Sequence, residues 1–192
     1  MPTLTIGAVA DELLAITFAN TYRAVRGVPR DSLAGPAFVR EWIAQHPGEH
    51  SGDDSDVEPD VDEVTRFVAV RDAIRSLAAA ASHREQLPPD AVAMINDAAA
   101  GAPRWPRLEV RETGATAVER TTADPVTAAL ARVAGSAVAL FGGPLVTHVR
   151  ACGNPSCLQF FVTRHHRREW CSEACGNRVR VLRHDRRRRA GT

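Results

Sequence analysis

All four cysteines of this chain fall in one short segment, reading ACGNPSC, then LQFFVTRHHRREW, then CSEAC. Cys152, Cys157, Cys171 and Cys175 therefore follow Cys-x4-Cys, thirteen intervening residues and Cys-x3-Cys. Zinc takes four soft ligands at the corners of a tetrahedron, and two close pairs joined by a stretch of hairpin length supply them with little loss of chain entropy. Disulfides are the competing use of such thiols. The N-terminal run MPTLTIGAVADELL lacks the basic start and long apolar core of a signal peptide, and no apolar run is read near the roughly 18 residues that a membrane span needs. A cytoplasmic, reducing setting is expected, where disulfides do not persist and a metal is the leading explanation.

The residues around the thiols set the local structure. Gly153, Asn154 and Pro155 have the composition of a turn that can fold backbone amides around sulfur. LQFFV and REW are strand-like, with Arg164–Arg167 as the turn between them. The second cysteine pair opens a helix, whose N-terminal dipole favours thiolate over thiol. Knuckle, hairpin and ligand-bearing helix together describe a treble-clef-like finger. On a helix over about 172–189, Cys175, Val179 and Leu182 share a face that can cover the metal and the hairpin. Arg180, Arg183, His184 and Arg187 recur at i, i+3, i+4 and i+7 on a neighbouring face. With Arg164, Arg167 and Arg168 from the turn, this basic stripe is suited to track a phosphate backbone. Trp170 is placed to shield the metal, Asn177 to orient the helix start, and Arg178 to offset the roughly −2 charge that four thiolates leave on a zinc site. Direct nucleic-acid contact is the alternative for all three.

Charge is divided along the chain. Residues 1–147 hold 13 Arg against 20 acidic residues, a balance of −7, and residues 148–192 hold 11 Arg against 3, a balance of +8. An acidic body with a basic tail points to a polyanionic partner.

Upstream of the cysteines the pattern is mainly helical. Val9, Leu13 and Ile16 set a helix over 8–25, stopped by Gly27 and Pro29. A second runs from Pro36 to His46 with Phe38, Trp42 and Ile43 inward. The stretch GEHSGDDSDVEPD reads as a surface loop. It lacks the Gly and the terminal Glu that would make its aspartates a calcium loop. A long helix follows over 60–83, with Val64, Phe67, Ile74, Leu77 and Ala81 on its apolar stripe. A shorter one runs from Pro88-Pro89-Asp90 to Ala100. Residues 106–121 change to a hairpin period with Gly114 in the turn. Asp124-Pro125 then caps a helix that ends at Gly142-Gly143. No catalytic constellation emerges there: His46, His50 and His83 read as exposed or capping residues, and Trp42, Trp105 and Tyr22 as core aromatics.

Cys152 through Arg189, with Trp170-Cys171 and the run Cys175-Gly176-Asn177-Arg178, resembles the CGNR zinc finger. FANTYRAVRG, with a Trp-containing helix after it, resembles the start of the α-helical ABATE domain that this family places upstream. The chain departs from the family at Val162-Thr163-Arg164-His165-His166, where an Asp-x-Ser type turn is usual. The resemblance implies a stress-induced transcription regulator, whereas spacing and charge alone give zinc and a polyanion.

The expected fold is mainly α with a small β-hairpin or sheet (α+β), followed by a treble-clef-like zinc finger. Residues 1–147 form a helical ABATE-like part that senses or dimerises, and 148–192 the finger with its basic helix. The expected function is zinc-dependent DNA binding by a transcription regulator that is not an enzyme. Zinc is its cofactor and double-stranded DNA its partner. No membrane is involved, and the helical part has scope for a homodimer contact and a small-molecule inducer. The competing readings are a redox-responsive zinc switch, an RNA-binding protein, or a treble-clef nuclease using His165 and His166. Four sulfur ligands close the coordination sphere, which sets the nuclease lowest.

Overall fold

The computed structural model describes residues 14–46, 57–111, 114–165 and 167–190. Its central element is helix α3 (Val61–His83). A reciprocal capping box starts it: the Asp60 carboxylate accepts from the Glu63 N–H at 2.7 Å, and the Glu63 carboxylate accepts from the Asp60 N–H at 2.8 Å. Arg84 ends it in the left-handed conformation, with φ 59°. Phe67, Ile74, Leu77 and Ala81 are buried along its length, as the apolar stripe predicts.

Helix α5 (Pro125–Gly142) lies beside α3. Asp124 caps it by accepting from the Thr127 N–H at 2.9 Å. Burial acts to raise the Asp124 carboxyl, but this bond and further backbone N–H groups outweigh it and hold the group below its ordinary range. At the other end only glycine fits position 143, since a Cβ there would stand 2.4 Å from the Ala139 carbonyl oxygen. By length and composition α5 is apolar enough to cross a membrane, a feature the sequence reading did not pick out. Most of its surface is instead buried against α3 and α4 (Pro89–Ala100). Helix α2 (Pro36–Gln45) closes the core with Val39, Trp42 and Ile43. Residues 14–19 are the described part of helix α1. Its Phe18 meets the Trp42 ring at 5.0 Å and the Phe67 ring edge-on at 5.9 Å.

Among the described residues the strands form three antiparallel hairpins: β1 (Tyr22–Val25) with β2 (Val28–Asp31), β3 (Trp105–Arg111) with β4 (Gly114–Arg120), and β5 (Val149–Ala151) with β6 (Phe160–Val162). The fold is thus α+β, with small strand pairs around a helical core. The third hairpin packs on α3, and its Val149 and Phe160 belong to the same hydrophobic cluster as Phe18, Phe67 and Leu140.

Two polar groups fasten that hairpin to the body. Asn20 pairs with Phe160 as a strand would, its amide donating to the Phe160 carbonyl at 2.9 Å and its carbonyl accepting the Phe160 N–H at 2.9 Å. The Arg75 guanidinium donates to the carbonyls of Ala19 (2.9 Å), Tyr22 (3.1 Å) and Leu158 (3.0 Å), and lies over the rings of Tyr22 and Phe160. Burial and the neighbouring charge of Arg71 lower its pKa. Arg71 itself is buried, and ion pairs with Asp31 and Asp72 outweigh the desolvation and raise it.

Five local expectations are corrected, the first being Trp105, read as a core aromatic but 45% exposed at the start of β3. The first helix stops at residue 19 instead of reaching 25, where Arg75 takes the Ala19 carbonyl and, three residues on, the Tyr22 carbonyl as the chain turns into β1–β2. Phe38 is 48% exposed, and Val39 fills the inward position. The finger's hairpin joins 160–162 to 149–151, and REW (168–170) is not a strand. Leu182 is 45% exposed, since the helix that carries it has by then run past the hairpin it was expected to cover. The acidic loop's residues 47–56, with His50 and the three aspartates, lie outside the described residues.

Replacing Arg75 by Ala should cost about 2–4 kcal/mol, because three carbonyls lose a charged donor at once. Urea unfolding followed by circular dichroism checks this, and a change under about 1 kcal/mol would contradict the role given to that side chain.

Candidate metal centre

The chain leaves β5 directly into the first ligand pair. The Cys152 N–H donates to the Gln159 carbonyl at 3.0 Å and the Cys157 N–H to the Asn154 carbonyl at 2.8 Å, so 152–159 folds into a knuckle with both sulfurs on one side. The second pair lies at the start of helix α6 (Glu173–Ala190). Ser172 precedes that helix and accepts the Cys175 N–H at 3.3 Å, a cap that fixes the first turn. Arg168 ties the approach: it donates to the carbonyls of Trp170 (3.1 Å) and Cys171 (2.7 Å) and lies 4.9 Å over the Phe161 ring.

These elements bring Cys152, Cys157, Cys171 and Cys175 together, all four Sγ atoms lying within 4.8 Å of one another. Cys157 and Cys171 are 3.8 Å apart, and Cys171 and Cys175 3.7 Å. A tetrahedron with metal–sulfur arms of about 2.3 Å has edges of about 3.8 Å, so the spacing fits zinc. The surroundings fit as well. The Cys171 N–H points at the Cys152 sulfur (3.4 Å), and the Asn154 amide, 1% exposed, donates to the Cys175 sulfur at 3.5 Å. Asn154 is held by accepting the Ser156 N–H at 3.1 Å. Such N–H···S bonds spread the negative charge of a thiolate-bound metal and orient its ligands.

The thiols are electrostatically unequal. Burial acts to raise Cys175, but bonds from Asn154, Ser172 and the neighbouring thiols bring it down to about 7. Burial, then proximity to Cys152, pushes Cys157 up to about 11. Cys171 is raised further, by burial and by its bonds to Cys152 and Cys175. Loading the cluster above pH 7 therefore displaces protons from at least Cys157 and Cys171.

Trp170 lies across the start of α6, half-buried. Its indole nitrogen is buried, on the side of Gly153, with no hydrogen-bond partner among the described residues. Gly176 admits the ring: a Cβ there would be 3.0 Å from Cε3 and 3.3 Å from Cδ2. Asn177 faces outward and accepts from Arg180, whose guanidinium lies 5.9 Å from the Trp170 ring centre. Arg178 is exposed and has no hydrogen-bond or ion-pair partner among the described residues. The amide that reaches the sulfurs is thus Asn154, which sequence reasoning had treated only as a turn residue. The run Gly153-Asn154-Pro155 was the available signal. Gly176 was equally missed, since its role depends on a ring six residues earlier.

Of the cationic residues singled out, Arg164, Arg167, Arg183 and Arg187 are exposed. Arg168 and Arg180 are engaged as described. His165 is exposed, and His166 lies outside the described residues.

Two family patterns match the sequence. Residues 12–144 match ABATE, described as "Putative stress-induced transcription regulator", and residues 148–188 match the CGNR zinc finger. The chain belongs to the ABATE family. No curated protein matches it. In this ABATE protein the finger pattern coincides with the four-sulfur cluster, and Cys152, Cys157, Cys171 and Cys175 are the residues that could hold a metal ion there. The metal would supply the folding energy of the knuckle and of the first turns of α6.

Metal affinity should rise by at least two decades per pH unit from pH 7 to 9, one for each proton displaced from Cys157 and Cys171. Competition with a chromophoric chelator across that range measures it, and a flat profile would contradict the thiol assignments. Gly176→Ala should cost about 1–3 kcal/mol by displacing the Trp170 ring. Thermal unfolding and a red-shifted tryptophan emission report it.

Proposed function

We propose that this protein is a zinc-dependent transcription regulator that holds double-stranded DNA through its finger and basic helix. The observation that carries the reading is the exposed arginine-bearing α6 growing directly out of the four-sulfur cluster, in a segment of net charge +8. A helix anchored at one end by metal and bearing free guanidinium groups at Arg183 and Arg187 places cations at fixed spacing. Each phosphate it neutralises releases counterions. Arg164 and Arg167 add to the same field, while Arg168 and Arg180 contribute charge from side chains already tethered. Residues 148–192 are the binding part in this reading, and residues 1–147 sense a signal, through a small-molecule inducer or a homodimer contact, within the cytoplasm.

Zinc is structural here, because four sulfurs leave no open coordination position for catalysis. The family descriptions name a regulator and a zinc finger, not an enzyme.

Duplex DNA binding by the purified protein, measured across salt concentrations with and without a chelator, tests the reading. Affinity should fall steeply with salt and vanish on chelation. Arg183→Ala with Arg187→Ala should make the slope of log K against log salt shallower by about 1–2, with zinc content unchanged. Salt-independent binding, or binding that survives metal removal, would overturn it.

A further inference from the structure

The β1–β2 hairpin departs from the local rules of hairpin construction three times, and two of those departures add positive charge. Its register sets Arg23 directly opposite Arg30. Like charges in that position repel. Its two-residue turn has both central residues left-handed, Arg26 at φ 53° and Gly27 at φ 81°. That turn favours Asn, Asp or Gly at its first position, and an Arg held there is strained. The third departure is apolar: Val25 and Val28, which flank the turn, are 44% and 54% exposed. Alternation places Arg23, Arg30, Val25 and Val28 on one outer face, while Tyr22 and Asp31 face the body.

None of Arg23, Arg26 and Arg30 has an ion-pair or hydrogen-bond partner among the described residues. The hairpin's one carboxylate, Asp31, is taken by Arg71. These three cations within eight residues form a local positive patch in a part of the chain whose overall balance, with them counted, is −7. A hairpin selected only for stability would carry Asn at the turn and an opposite charge or a Thr in the cross-strand pair. Local rules broken in one direction mark a functional surface.

The hairpin is also rigidly mounted. The Tyr22 ring lies within 5.4 Å of the Arg71 guanidinium and 5.1 Å of Arg75. The same Arg75 holds the Leu158 carbonyl in the finger. Root of the hairpin and knuckle of the finger thus share one side chain of α3.

We infer that the β1–β2 hairpin is a second nucleic-acid contact, in which Arg23, Arg26 and Arg30 neutralise backbone phosphates of the duplex held by the finger, with Val25 and Val28 against the sugar edge. A cationic ribbon on a fixed mount matches the way phosphate contacts set register and orientation on DNA. The inference rests on the proposed function, and the finger variant below separates the two.

The test uses substitutions that improve the hairpin while removing its charge. Arg26→Asn suits the turn, and Arg30→Glu converts the Arg23 pair from repulsive to attractive. Each should leave the melting temperature equal to or above that of the unaltered protein, and zinc content the same. Duplex affinity by fluorescence anisotropy should fall roughly tenfold or more near 0.1 M salt, and the salt slope should become shallower by about 1 for Arg26→Asn and more for Arg30→Glu. Arg23→Gln, which keeps the strand, serves as a third variant should either substitution perturb folding. If these variants bind with the original affinity and slope while Arg183→Ala with Arg187→Ala loses both, the hairpin inference falls and the finger reading stands. If the unaltered protein binds no duplex, both fall. Retained duplex binding with loss of an acidic protein partner would likewise overturn the hairpin's assignment to DNA.

Discussion

Four sulfur atoms within 4.8 Å of one another cannot all ionise unless a cation lies among them. The last quarter of the molecule depends on that constraint. The knuckle at 152–159 has no apolar interior of its own beyond what β6 lends it, and α6 presents mostly charge to solvent. The sulfurs give these pieces a common centre. The cost of gathering thiolates is shared with the Asn154 amide and the Cys171 N–H, each of which directs a donor toward a sulfur. A segment this short could not afford the arrangement on hydrophobic burial alone.

The finger is nonetheless not a free appendage. Val149 and Phe160 lie in the main core, and Asn20 and Arg75 spend their hydrogen-bonding capacity on the chain around β6. A displacement of α3 along its axis would reach the knuckle through the Leu158 carbonyl without passing through a flexible linker. Interfaces of this kind, packed and fully hydrogen-bonded, move as bodies or not at all. Any signal received by the helices would therefore arrive at the finger as a change of position, not of folding.

Much of this was readable in the sequence. Asp124-Pro125 announced α5, the spacing of Phe67, Ile74 and Leu77 announced α3, and the cysteine pattern announced the cluster. Each of those signals is local: a cap, a period or a ligand spacing. What escaped depends on distant partners. The chain around residue 20 continues a helical period, and only a guanidinium 55 residues later, bonded to Ala19 and Tyr22, turns it into a hairpin. Strand β5 is three residues long and acquires its partner because the knuckle closes behind it. Asn154 looked like a turn former, and its second duty toward Cys175 becomes visible only when α6 is packed above it. Leu182 follows the correct period but on turns of the helix with nothing beneath them.

The chain uses Arg for every one of its 24 Lys-or-Arg positions, and the structure divides them by what their guanidinium groups meet. Arg71 forks between two carboxylates, Arg75 between three carbonyls and two rings, and Arg168 between two carbonyls and a ring. A lysine, with a point charge on a flexible stem, would reproduce none of these. Among the described residues, Arg23, Arg26, Arg30, Arg183 and Arg187 meet no group that offsets their charge. Self-repulsion among unpaired cations lowers the stability of a chain that carries them, so their grouping on one hairpin and one helix is a cost without return in the isolated molecule. On the proposed function it is recovered when an anion of matching length is present, and the acidic remainder of the body would then turn the molecule so that those two elements approach it first.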